Sequence, residues 1–412
     1  MAENDIYNNK VRYENFVANV DQILEPPKKK QKKKYYCKNK NNVVYFKRFF
    51  KHFDTKDLSF IRRLRVLQTF KVICHATDKY LKECEREDIN KIVSFMHTVY
   101  KSPKSKSDFI KDIKYIWRTL LPENDIKGRI DDTITPYPVR HLSTKIDKSK
   151  EKLRNDRLSL KEFKKIVGFF SGEPKLQAYL MLAFESLGRP QEILYTKIKD
   201  YEFYDNFAKV WISEHGKEGC GFLQCIDSYP YIIEWFKNHP FKDNPDAFFF
   251  INQNNNGKYR QLKNEYINHR LQHACKTLGI NKQISCYSLK RNGITHRRLR
   301  GDSDVQIQHA ARWTSTKQLK IYDMTTQQDA LEIELKKRGL VRGNEKKEEV
   351  KTKSCEFCGY ENGCIEQFCA NCKRPLDRAK LKEMADNHDR LMNHEMIQKF
   401  DKMERMIAKI IK

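Results

Sequence analysis

Residues 175–188, KLQAYLMLAFESLG, constrain the fold of this chain more than any other stretch. They are almost wholly apolar, and a helix without a polar face lies inside a core rather than on its surface. The helix runs directly into Gly188-Arg189-Pro190-Gln191-Glu192, so a guanidinium stands at the end of a buried element. Glu192 is placed to brace it; taken alone, the two make an ordinary structural ion pair. Around this helix the periodicity changes type. Ser159 with Glu162 forms a capping box ahead of LKEFKKIVGFF. YEFYDNFAKVWISEH alternates as two strands about an Asp205-Asn206 turn, and HGKEGCGFLQCI continues as a turn and strand. The helix YPYIIEWFKNH, a DAFFFI strand or turn, a polar NQNNNGK loop and a helix over 262–278 follow. Residues 159–342 are therefore expected to form a mainly α domain with a small β-sheet, an α+β fold.

Upstream, apolar positions recur at helical spacing in VVYFKRFFKHF, LSFIRRLRVLQTFKVI, INKIVSFMHTVY and SDFIKDIKYIWRTLL, with Lys and Arg on the opposite faces. Residues 44–121 are thus expected as a separate all-α domain, with Phe109, Ile113, Ile116, Trp117 and Leu120 as one core stripe and Pro103 marking the break before it. Residues 1–43 contain PPKKKQKKKYYCKNK, where like charges repel, and are expected as a disordered basic arm. Residues 122–158, with Pro122, Pro136 and Pro138, have the composition of a linker, and residues 343–354 that of a second, charged one. Residues 376–412 are expected as a C-terminal helix with Leu381, Met384, Leu391, Met396, Phe400, Met403, Ile407 and Ile410 on its apolar stripe. It either pairs with another helix as a short coiled coil or folds back on the body.

The 412 residues carry 81 Lys+Arg against 54 Asp+Glu, a net charge of +27 with a pI near 9.5. Such an excess favours a polyanionic partner. Solubility alone would explain a basic protein, but here cations recur at every candidate site, which points to nucleic acid. No apolar run approaches the roughly 20 residues that span a bilayer, and MAENDIYNNK lacks an apolar signal-peptide core. A cytoplasmic protein without a membrane partner is expected.

Cys355, Cys358, Cys369 and Cys372 follow a C-x2-C-x10-C-x2-C spacing. Two such pairs present four thiolates to one tetrahedral Zn²⁺, and a site closed by four sulfurs is structural, because a catalytic zinc keeps an open position. A zinc module over 355–375 is expected, with Gly359 and Asn371 in the knuckle turns and Cys364 as a bystander.

Residues 287–322, YSLKRNGITHRRLRGDSDVQIQHAARWTSTKQLKIY, place cations at one end and a phenol at the other. Lys290, Arg291, His296, Arg297 and Arg298 lie on a helix that Gly301-Asp302 interrupts; Val305, Ile307 and Ala311 belong to a second helix, before Trp313 and Tyr322. Lys217, between Gly216 and Glu218-Gly219, sits in a tight loop after a strand and by itself is an ordinary hairpin lysine. Together with Arg189 in GRPQEI, these residues resemble the tyrosine recombinases, or phage-type integrases, and most closely their archaeal members. In ungapped register Tyr287 takes the family's His place and Lys290 its second Arg place. Gly301 matches the interior Gly, Trp313 the His/Trp place and Tyr322, nine residues later, the nucleophile. Arg189 and Lys217 match the upstream Arg and the hairpin Lys. The motifs cover residues 159–325, and residues 44–121 resemble the family's core-binding domain by pattern.

The resemblance implies a site-specific recombinase of a mobile genetic element that cleaves and rejoins double-stranded DNA through a 3′-phosphotyrosyl link. It implies a multimer, a tetramer on paired sites, working at a prokaryotic nucleoid, with no metal needed for strand cleavage. Arg189 and Lys290 would stabilise phosphate charge, Lys217 would protonate the departing 5′ oxygen, Trp313 and Tyr287 would pack and hydrogen-bond around the phosphate, and Tyr322 would attack. Lysine is a point charge and cannot grip phosphate bidentately, so the adjacent Arg291 is an alternative clamp. The Lys290 and Tyr287 departures also leave open a non-catalytic DNA-binding or architectural protein on this fold. A type IB topoisomerase-like nicking–closing enzyme shares the chemistry, but the helical tail and the two-domain clamp favour the recombinase.

Overall fold

The computed structural model describes residues 7–26, 35–145, 155–212, 220–254, 256–340 and 350–377. The chain divides into two units between Leu153 and Arg154.

The N-terminal unit contains α1 (Asn9–Ala18), α2 (Val43–Thr55), α3 (Phe60–Ala76), α4 (Arg86–Val99) and α5 (Pro103–Leu120). Pro103 opens α5 at a position where its missing N–H costs nothing. Phe46, Phe49 and Phe53 of α2 and Phe70 of α3 are fully buried, and the Phe46 and Phe70 rings lie 4.3 Å apart between centroids. The apolar stripe of α5 joins the same core. Asp112 on the inner side of α5 is buried, and it accepts bonds from Arg62 (2.6 Å), Arg65 (3.0 Å) and Thr69 (3.2 Å) of α3. A buried carboxylate met by two guanidiniums is compensated, and it fixes how the two helices meet.

The arm expected over residues 1–43 requires correction, because residues 7–26 and 35–43 are folded. Tyr13 of α1, together with Val20, Ile23, Cys37 and Val43, is buried in the helical core. The lysine run dominates the local composition, but the segments on either side of it carry enough apolar area to pack. Residues 27–34, most of that run, lie outside the described residues. Residues 122–145 of the expected linker are also folded. They form a short ribbon of β1 (Glu123–Asn124) and β2 (Ile130–Asp131), then α6 (Tyr137–Arg140), whose Val139 is fully buried.

The C-terminal unit runs α7 (Leu160–Phe169), α8 (Pro174–Glu185), α9 (Pro190–Leu194), β3 (Tyr201–Phe203), β4 (Ala208–Ile212), β5 (Gly221–Cys225) and α10 (Tyr229–Lys237). It continues with β6 (Ile251–Gln253), β7 (Tyr259–Gln261), α11 (Asn264–Thr277), α12 (Cys286–Arg300), α13 (Asp304–Ala310), α14 (Leu319–Tyr322), α15 (Gln327–Lys337), β8 (Lys353–Ser354) and β9 (Glu361–Asn362). The unit is mainly helical with small antiparallel sheets. Helix α8 is its axis: every residue from Leu176 to Phe184 is buried, and α7, α10 and α12 pack around it. The Ser159–Glu162 capping box opens α7, with both reciprocal bonds formed (3.2 and 2.7 Å). Strands β3, β4 and β5 form one antiparallel sheet in which Val210 faces Leu223 and Ile212 faces Gly221. Ala208, Val210 and Ile212 point inward while Trp211 is exposed, the period-two pattern of a half-buried strand.

Val350, inside the expected second linker, is buried in the main core of this unit, so the chain is anchored there before the cysteine cluster begins. Of the expected C-terminal helix, residues 378–412 lie outside the described residues. Among the described residues, no helix is long and apolar enough to cross a membrane.

Candidate active site

Helix α8 ends at Glu185, and the chain turns sharply through Leu187, which adopts a left-handed φ of 56°. A non-glycine residue there costs about 1–3 kcal/mol and persists only where its surroundings over-determine it. Leu187 belongs to a buried apolar cluster with Ile294, Ile307 and Trp313. The turn delivers Arg189 to the start of α9, with a side chain only 5% exposed. The Glu192 carboxylate accepts the Arg189 backbone N–H at 3.1 Å and lies 3.6 Å from its guanidinium.

Helix α12 supplies the next cations. Ser285 caps it, its N–H donating to Ser288 Oγ at 3.0 Å. Tyr287 on the first turn keeps a partly exposed ring, and burial pushes its phenol up while Arg189 pulls it down and Tyr322 and Glu192 push it up. Those influences place Tyr287 in the electrostatic field of Arg189, Glu192 and Tyr322. Lys290 is buried, with Nζ 5.4 Å from the ring centroids of both Trp313 and Tyr322. An ammonium in that position gains cation–π attraction from two rings. Arg291 turns to another side of the helix and pairs with buried Asp156, which also accepts from Ser288 Oγ at 3.0 Å. Asn292 donates to the Asp156 carbonyl at 2.7 Å and accepts the Leu158 N–H at 2.6 Å. Arg291 and Asn292 thus fasten residues 156–158 to α12.

The crossing of α12 on α8 depends on Gly293. A methyl group there would stand 2.0 Å from the Phe184 carbonyl oxygen and 2.8 Å from Leu187 Cδ2. Only a residue without Cβ lets the helix that bears Lys290 approach the turn that leads to Arg189.

Ser303 caps α13, accepting from the Gln306 N–H at 3.2 Å. Ile307 and Ala310 are buried, and the chain then passes through Arg312, a second non-glycine residue in the left-handed region, at φ 56°. Its guanidinium pairs with Glu192 at 2.5 Å. The next residue, Trp313, packs against Tyr322 at 5.4 Å between centroids, with the ring planes 33° apart. Tyr322 ends α14. The residues beyond it are fastened to α12, since the Met324 N–H donates to Thr295 Oγ1 at 3.0 Å and Arg298 lies 3.4 Å from Asp323.

Lys290, Trp313 and Tyr322 therefore come together; Arg189 stands beside Glu192, Tyr287 feels the charges of Arg189, Tyr322 and Glu192, and Arg291 is paired with Asp156. Lys217 lies in the loop between β4 and β5, at residues 213–219, outside the described residues. Pattern alone does not mark Arg312, Asp156 or Gly293. The only sequence signal for Arg312 is its place directly before Trp313.

A separate cluster forms near the C-terminal end of the described chain. The Sγ atoms of Cys355, Cys358, Cys369 and Cys372 all lie within 4.8 Å of one another, with Cys355–Cys372 at 3.5 Å and Cys358–Cys369 at 3.6 Å. Four sulfurs about 2.3 Å from a tetrahedral ion stand about 3.8 Å apart, so the set could hold zinc. Burial acts to raise the Cys369 thiol, but backbone N–H groups at Cys372 and Asn371 bring it down to about 6. Asn362, absent from the expected ligand set, ties the two knuckles together. Its amide donates to the Tyr360 carbonyl at 2.8 Å and its oxygen accepts the Ala370 N–H at 2.8 Å. Cys364 stands outside the four-sulfur group, as expected; its sulfur lies 3.6 Å from Tyr231 Oη of α10, which also accepts the Ile365 N–H at 3.3 Å. This segment docks the module on the main core.

Residues 156–329 match the model of the phage integrase family. Among solved structures, the XerH site-specific recombinase bound to palindromic difH substrate is 13% identical at a TM-score of 0.53, covering 81% of this chain and 96% of that one. A lambda integrase dimer bound to a COC' core site is 15% identical at 0.52, covering 68% and 76%. The Tn1549 transposon integrase in complex with transposon right-end DNA is 14% identical at 0.52, covering 72% and 99%. At these identities the likeness is one of fold. No curated protein matches the chain.

Proposed function

We propose that the protein, whose residues 156–329 match the phage integrase family model, is a tyrosine-type site-specific recombinase that cuts and rejoins duplex DNA. The observation that carries this reading is the buried Lys290 ammonium set 5.4 Å from both the Tyr322 and the Trp313 rings. A phenol is a weak nucleophile at neutral pH. It becomes competent where fixed cations meet the charge that builds on the phosphate as it attacks. In this reading Tyr322 Oη bonds to the scissile phosphorus and the bond from phosphorus to the 5′ oxygen breaks. Arg189 and Lys290 stabilise the non-bridging oxygens, Trp313 and Tyr287 wall the phosphate, and Lys217 donates a proton to the leaving oxygen. The phosphotyrosyl link conserves the bond energy, so a 5′ hydroxyl from another strand reverses the step and exchange needs no external energy source.

Exchange joins two duplexes, so a multimer on paired sites is part of the proposal. It is supported by the DNA-bound dimers and tetramers among proteins of this fold. The net charge of +27 suits a DNA partner, and the site of action would be the cytoplasmic nucleoid. For the cysteine cluster, we infer structural Zn²⁺ held by Cys355, Cys358, Cys369 and Cys372. Bound there, the ion would cross-link a segment with little core of its own.

The test uses a pool of nicked duplexes of randomised sequence, in which cleavage beside the nick releases a short fragment and traps the covalent product. Wild-type protein is expected to give a protein–DNA adduct stable to denaturation, and Tyr322→Phe none. An unchanged adduct from Tyr322→Phe, or none from the wild type, would overturn the proposal and favour a DNA-binding protein on the same fold.

A further inference from the structure

We propose that Arg312 is a positioning residue for strand cleavage, acting through Glu192 on Arg189; this rests on the recombinase reading. Glu192 has no exposed side-chain surface, and the Arg312 side chain has 8%. Oε2 of Glu192 receives the Arg312 guanidinium at 2.5 Å and the Arg189 N–H at 3.1 Å, while Oε1 lies 3.6 Å from the Arg189 guanidinium. One carboxylate is thus shared by two guanidiniums, and the closer contact belongs to Arg312.

The shared carboxylate ties the two guanidiniums together. Arg312 holds Oε2, and the same oxygen takes the Arg189 N–H, so the place of the carboxylate, and with it the place of the Arg189 guanidinium 3.6 Å from Oε1, follows from the Arg312 contact. Cations held in fixed positions are what the charge gained by a phosphodiester in its transition state requires.

The backbone supports the same assignment. Arg312 occupies a left-handed conformation that a side chain rarely adopts, and such strain persists where contacts hold it. Its stem runs beside β5, where a methyl on Gly221 would come within 3.2 Å of Arg312 Cδ. Gly221 pairs with Ile212 at the base of the hairpin that carries Lys217. Through its peptide bond Arg312 is joined to Trp313, which packs on Tyr322. One side chain thus links the arginine turn, the base of the lysine hairpin and the segment that places the nucleophile.

The experiment is single-turnover cleavage of a nicked duplex recovered from the randomised pool, with DNA affinity and thermal midpoint measured on the same full-length proteins. Arg312→Gly, which fits the backbone, is expected to slow cleavage by about 30-fold or more with affinity changed less than about threefold. Arg312→Lys is expected to recover part of the rate and remains measurable if the glycine variant unfolds. In the Glu192→Gln background, Arg312→Gly is expected to slow cleavage by less than about threefold further, because the two act as one unit. Cleavage by both Arg312 variants at the wild-type rate, losses that multiply in the double variant, or loss of cleavage only in proportion to DNA affinity would each overturn the inference. Those outcomes, with a normal wild-type adduct that Tyr322→Phe abolishes, leave the recombinase reading standing. A wild type that forms no adduct removes both.

Discussion

Successive side chains on an α-helix are turned by about 100°, and that rotation gives Lys290 and Arg291 different tasks. Lys290 faces the Trp313 and Tyr322 rings; Arg291 pairs with Asp156 and secures the segment that leads into α7. Their losses are expected to differ in kind. Lys290→Ala should lower the rate of covalent adduct formation by about 100-fold, the usual cost of removing one preorganised charge from a transition state. Arg291→Ala leaves the buried Asp156 without its cation and should cost about 3 kcal/mol of stability in denaturant unfolding, with the cleavage rate of the remaining folded protein within a few-fold of normal. An adduct rate that falls for Arg291→Ala and not for Lys290→Ala would transfer the phosphate clamp to Arg291.

At the scale of elements, the site depends on how closely α12 crosses α8. Both Arg189, just beyond α8, and Lys290 on α12 take their positions from that contact, which has room for no side chain at Gly293. Gly293→Ala is expected to destabilise the C-terminal unit by about 3 kcal/mol, since backbone rather than a flexible side-chain tip must move. Gly168 on α7, where an added methyl meets nothing within 4 Å, is the contrast. Gly168→Ala should raise stability by up to about 1 kcal/mol. Equal effects at the two glycines in thermal unfolding would show that the crossing is looser than the geometry indicates.

In the whole molecule, the cysteine cluster belongs to the same unit as the site. Val350 is buried in the main core and Cys364 lies against Tyr231 of α10, so the first knuckle is bracketed by contacts with that core. Zinc is expected to co-purify at about one ion per chain. Removing it with a chelator, or substituting Cys372→Ser, should lower the unfolding temperature of the C-terminal unit by several degrees. The N-terminal helical unit, whose core contains none of these cysteines, should be unaffected. Protein that carries no metal, or whose C-terminal transition ignores the chelator, would remove the structural role.

The sequence by itself determined what periodicity and spacing encode. The apolar run through α8 demanded a buried helix, the alternation in β4 a half-buried strand, and the spacing of the four cysteines a common cluster. The resemblance of residues 287–322 to the tyrosine recombinase motif marked Lys290, Trp313 and Tyr322 as candidates before any coordinates, because those offsets stay within one helix and the turns that follow it. Three things were decided only in three dimensions. Which of Lys290 and Arg291 faces the phenol depends on the rotation of α12, set by Gly293 against Phe184 and by Asp156, a partner 135 positions away. The pairing of Arg312 with Glu192 spans 120 positions, a separation no local pattern records. The folding of residues 7–26 and 35–43 depends on a core that other helices supply, so a window dominated by lysines concealed it. Short-range order is written in periodicity; the distribution of charge within a buried site is set by neighbours that only the fold brings together.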